Sequence, residues 1–133
     1  MRQAATHPPD LSDIETLAEA AVSSLPDLFR SELLGVVIRV EDFPDDEIMR
    51  DMRLESPFDL LGLYDGIATD RKSVSATPQD VDRIFLYRRP ILDYWCETGE
   101  PLERVVRHVL IHEVGHHLGL SDAEMDRIER DAG

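Results

Sequence analysis

Between Asp10 and Leu25 the apolar side chains recur at three- and four-residue intervals: Leu11, Ile14, Leu17, Ala18, Ala21, Val22 and Leu25. That spacing lines one face of an α-helix. Asp10 or Ser12 can accept from the free amides at its start, and Pro26 limits its end. Residues 1–9 carry Pro8-Pro9 and little apolar patterning, so they read as a loose tail ahead of a single domain over 10–133. The pattern predicts a second, short helix over Asp27 to Leu34, stopped by Gly35. Then the period changes. Val36-Val37-Ile38-Arg39-Val40 is β-branched and reads as a strand. A turn over Glu41–Asp46 leads into a short charged helix over Glu47 to Arg53. Leu60-Leu61-Gly62-Leu63-Tyr64 reads as a second strand, closed by Asp65-Gly66. Residues 67–80 are polar, contain Thr77-Pro78 and read as a loop. Asp82 to Arg88, with Ile84, Phe85, Leu86 and Tyr87, reads as a third strand.

Beyond it the pattern is helical again. Pro90 can open a helix through Trp95, because the N–H that proline lacks has no intrahelical partner in the first turn. Gly99 separates it from a helix over Leu102 to Leu118, which Pro101 can start. Gly119 ends that helix, and Ser121 caps a last one from Asp122 to about Arg130. Helices flanking a small three-stranded sheet make the expected class α+β.

Composition permits such a domain. At 133 residues the chain can bury roughly two thirds of its unfolded surface without disulfides. The net charge of −14 repels phosphate backbones and anionic lipid, so neither nucleic acid nor a membrane is expected as partner. The lone Cys96 reads as an ordinary thiol. Met1 to Pro9 holds no apolar run of the signal-peptide kind, and the expected location is the cytoplasm.

The chemistry sits in His112-Glu113-Val114-Gly115-His116. Histidines four apart on a helix share a face, one turn from each other, so both rings can reach one metal ion. Glu113 can face a zinc-held water without becoming a ligand. Zinc brings the pKa of that water toward about 7, and the glutamate can take its proton during attack on a carbonyl. Chance alone would place HExxH in roughly one or two shuffled chains of this composition per hundred. The helical setting and the glycine three residues after His116 sharpen the signal. Catalytic zinc generally keeps three protein ligands. Gly119 can turn the chain back, which makes Asp122 the candidate third ligand; its structural alternative is a helix-start carboxylate satisfying backbone amides. Glu124 and Glu129 on the following helix are the ranked-lower alternatives.

Other residues weigh less. His108, His112 and His116 form a stripe, but the outer two lie about 12 Å apart along a straight helix, so His108 reads as a supporting or packing residue. His117 points roughly 100° away from His116. Tyr64 and Tyr87 could donate to a developing oxyanion, though strand packing suffices to explain them. Met125 reads as core.

These blocks resemble a known family, the small bacterial zincin-like metallopeptidases once classed as a domain of unknown function. The resemblance rests on the zinc motif together with Val36 to Asp42, Leu60 to Gly66 and Arg83 to Ile91, in the same order, and covers about residues 14 to 126. It implies a pared-down zincin fold with the motif on the C-terminal helix. It also implies zinc at His112 and His116, Glu113 as general base, and Asp122 as third ligand. Arg71 resembles a loop arginine of the family. The function expected is a zinc-dependent hydrolase of peptide bonds acting on a peptide or protein. Its rival is a zincin-like metal-binding or interaction module without efficient catalysis, motivated by the little chain left to build a deep cleft. A small metal-dependent nuclease ranks third, disfavoured by the acidic surface. Nickel, cobalt or iron could occupy the same ligands.

Overall fold

A computed structural model of the chain describes residues 7–66 and 82–132. The predicted loop over 67–80, Arg71 within it and the tail before His7 lie outside the described residues. Among those described, the chain forms six α-helices, one 3-10 turn at Pro57–Asp59 and one three-stranded sheet. In order they are α1 (Leu11–Ser23), α2 (Asp27–Glu32), β1 (Val37–Glu41), α3 (Asp46–Asp51), β2 (Gly62–Asp65), β3 (Arg83–Tyr87), α4 (Arg88–Thr98), α5 (Leu102–Leu118) and α6 (Asp122–Ala132). The class is α+β, as the pattern predicts.

Local chemistry explains the helix ends. Asp10 caps α1 by accepting from the Asp13 amide at 2.9 Å, while Asp13 accepts from the Asp10 amide at 2.8 Å. Two orphan donors are satisfied reciprocally. Asp45 caps α3 through the Ile48 amide at 2.8 Å. Helix α4 departs from expectation, beginning at Arg88 rather than at Pro90. Strand β3 runs straight into it, and Pro90 still falls within the first turn, where its missing N–H costs no intrahelical bond. The exposed Arg89 amide donates instead to the Asp42 carbonyl at 3.1 Å. Arg88 ties the same corner together: it pairs with Asp42 at 2.7 Å and donates to the Pro9 carbonyl at 2.7 Å.

The strand order is β1-β3-β2, with β1 parallel and β2 antiparallel to the central β3. Ile84 and Leu86 of β3 are fully buried, as are Val106, Leu110 and Val114 of α5 and Ile14 of α1. Helices α1 and α5 pack on each other; α1 also meets β1, and α5 meets β2 and β3. Helix α5 is therefore enclosed by α1, the sheet and α6, which is why its apolar residues cover more than a single stripe. No described helix is long and apolar enough to cross a membrane.

Candidate metal centre

Two glycines set the position of the motif helix. At Gly62 an added Cβ would stand 2.6 Å from Val109 Cγ1, 3.1 Å from the Phe85 carbonyl oxygen and 3.4 Å from Glu113 Cγ. Strand β2 can lie directly on α5 only because nothing projects from Gly62. At Gly115 a Cβ would stand 2.0 Å from Met125 Sδ. The last helix thus sits hard against the motif helix, with Met125 only 1% exposed. Between them Gly119 takes a left-handed conformation, φ 71°, which a side chain would strain. Leu120 then donates to the Gly115 carbonyl at 2.9 Å, and Ser121 opens α6. Met125 opposite Gly115 and Glu129 opposite His108 show that α6 runs back antiparallel along α5.

Glu113 is 12% exposed and is held at the sheet. Its Oε1 accepts from the Tyr64 amide of β2 at 2.7 Å, and His116 Nδ1 lies 3.7 Å from the same oxygen. The motif carboxylate therefore stands between the outer strand and a motif histidine. His116 itself is 58% exposed.

His112 is half-buried, and its Nε2 is enclosed without a hydrogen-bond partner. Burial, with His108 nearby, lowers its pKa below the usual 6.5. The ring is thus kept neutral, with a lone pair available, at neutral pH. A buried imidazole nitrogen with no partner fits a transition-metal ligand, since a ring nitrogen is among the commonest zinc donors.

Ligand atoms of His108, His112 and Glu129 all lie within 4.8 Å of one another among the described residues. His116 and Asp122 stand outside that set. Asp122 is exposed in the first turn of α6. Ser121 and Glu124 form a capping pair there: the Glu124 amide donates to Ser121 Oγ at 3.2 Å, and the Ser121 amide donates to Glu124 Oε1 at 3.1 Å. The Ser121 bonds hold the Glu124 carboxyl below its usual pKa. Glu129 is bonded to His108 Nδ1 at 2.8 Å, and the His108 and His112 rings are in contact with centroids 4.2 Å apart.

His117 packs its ring on Tyr64, centroids 4.7 Å apart. Burial, reinforced by a hydrogen bond to Asp82, raises the Tyr64 phenol far above its usual range. Tyr87 is fully buried in β3, its phenol likewise raised by burial. Both tyrosines are strand packing residues. Sequence reasoning missed the Tyr64 amide as the partner of Glu113, since a backbone donor leaves no residue signature. It also missed Glu129 opposite His108, reading that carboxylate only as a lower-ranked ligand for the motif.

A small mixed sheet laid over a buried helix that carries HExxH places this chain in the zincin-like class. The chain belongs to the zincin-like metallopeptidase family, whose profile matches residues 33–132. That span takes in the whole sheet and helices α3 to α6. A comparison with curated proteins found no match.

Proposed function

We propose that this chain is a zinc-dependent metallopeptidase in which His112, His116 and Asp122 hold the ion and Glu113 is the general base. The observation that carries the reading is the position of Glu113, anchored by the Tyr64 amide at 2.7 Å beside a motif histidine. When bound, zinc supplies Lewis acidity, which polarises a carbonyl and acidifies water. Glu113 Oε1 is engaged by the strand, which leaves Oε2 to accept the proton of the attacking water and return it to the leaving amine. Burial of the Glu113 side chain limits its competition with bulk solvent. The neutral ring of His112 needs no proton removed before it ligates. Among the described strands β2 is an outer one, so an extended peptide can lie along it with its backbone beside Glu113.

Glu113→Gln keeps the shape and the strand anchor but removes the base. The expected result is peptide cleavage lost by at least about a hundredfold, with zinc content by elemental analysis unchanged. Cleavage that survives the change would sink the mechanism. If zinc-loaded wild-type protein cleaves nothing in a broad peptide library, the metal-binding module becomes the better reading.

A further inference from the structure

The i, i+4 histidine spacing occurs twice along α5, at 108/112 as well as at 112/116. For the first pair the fold supplies a carboxylate. Glu129 reaches back from α6, with His108 Nδ1 2.8 Å from Oε2 and 2.9 Å from Oε1, and the ligand atoms of His108, His112 and Glu129 lie within 4.8 Å of one another. From this convergence we infer a second seat for a divalent transition metal, built from His108, His112 and Glu129, one helical turn from the HExxH position.

Three observations support it. The donors are two imidazoles and one carboxylate, a set suited to zinc, cobalt or nickel. His112 Nε2 is enclosed and lacks a partner, so a ligand role would satisfy it. Two of the three donors are reached from outside: His108 and Glu129 line a cavity of about 530 Å³, with His112 behind them. That cavity carries Glu100 and Asp126 in addition to Glu129, against Arg104, Arg107 and Arg130, so the wall charges offset one another rather than repel a cation.

The seat shares His112 with the motif. A neutral imidazole has one free lone pair, so His112 serves one ion at a time. The two seats exclude each other, and an ion held by His108 and Glu129 withdraws His112 from the HExxH set. On the proposed reading of the motif, metal in this seat therefore leaves the HExxH set without one of its ligands.

Cobalt(II) titration of the tag-free full chain tests this, read by calorimetry and by the visible absorption of the bound ion. All proteins carry His7→Ala, because exposed His7, Asp10 and Asp13 also converge. His116→Ala dismantles the motif pair and leaves the second seat. It is expected to retain one cobalt per chain, and adding His108→Ala or Glu129→Gln to it is expected to weaken binding by roughly tenfold or more. Glu129→Gln keeps a hydrogen-bonding side chain against His108, which guards against mere unfolding; circular dichroism checks that each variant is folded. The inference is overturned if folded His116→Ala binds no cobalt, or if the double variants bind as tightly as His116→Ala alone. Two cobalt ions per chain in the His7→Ala protein with both seats intact would overturn the sharing of His112. The proposed function is separable from this outcome. Metal lost with His116→Ala but unaffected by His108→Ala leaves the peptidase reading intact and removes the second seat; the reverse pattern removes the motif site and keeps the second.

Discussion

Gly62→Ala probes the contact that brings β2 onto the motif helix. The new methyl would sit 2.6 Å from Val109 Cγ1 and 3.1 Å from the Phe85 carbonyl oxygen. Neither neighbour yields cheaply. Val109 is 6% exposed and β-branched on a helix, so one rotamer dominates, and Phe85 contributes backbone within the β2–β3 ladder. Overpacking of this kind costs about 1–3 kcal/mol, while replacing glycine recovers about 0.4–1 kcal/mol by restricting the unfolded chain. The expected net loss is about 1–2 kcal/mol. Urea unfolding measures it as a lower midpoint with an unchanged slope. A double-mutant cycle with Val109→Ala isolates the cause, because that change removes the methyl at 2.6 Å. In the Val109→Ala background the Gly62→Ala penalty should shrink by about 1 kcal/mol. Equal penalties in both backgrounds, or a stabilised single variant, would refute the argument. The displacement should also lengthen the 2.7 Å bond from the Tyr64 amide to Glu113, so under the proposed mechanism cleavage should fall together with stability.

Other perturbations follow from the same geometry. Gly115→Ala places a methyl against Met125 Sδ, and the last helix must shift; the expected loss is about 1–3 kcal/mol by urea unfolding, and this penalty should shrink when measured in a Met125→Ala background, which is itself destabilised by the lost core side chain. Gly119→Ala puts a side chain at φ 71°, and should destabilise by roughly 1 kcal/mol in the same assay. The Glu124 carboxyl is held below its usual 4.5 by the Ser121 bonds, so its contribution is full above pH 4.5 and is lost as pH falls through the lowered value. The stability gap between wild type and Glu124→Ala, followed by thermal unfolding against pH, should therefore close on acidification; a gap that widens would refute the assignment.

Much of the fold was legible in the sequence because it is encoded locally. The three- and four-residue period over Leu11–Ser23, the β-branched run at Val37–Glu41 and the glycine after Leu118 each act within a few residues of themselves. The start of α4 was misplaced because proline marks a first turn without saying which of its positions it occupies. The motif was legible for the same local reason: helical spacing alone puts His112 and His116 on one face, with Glu113 beside them. The family resemblance was legible because it rests on short blocks of consecutive residues, and the family profile that matches residues 33–132 bears it out.

Contacts between distant segments belong to the tertiary structure alone. The Glu113 partner is a backbone amide 49 residues away, and every residue but proline offers an amide, so no side chain advertises it. Gly62 and Gly115 look like ordinary glycines until a strand and a helix are packed on them. Glu129 becomes a neighbour of His108 only when α6 folds back on α5. Periodicity determines which face of an element is apolar; packing determines what that face meets. The identity of the chemical groups was therefore settled by sequence, and which of them share a site was decided by how the helices and the sheet close together.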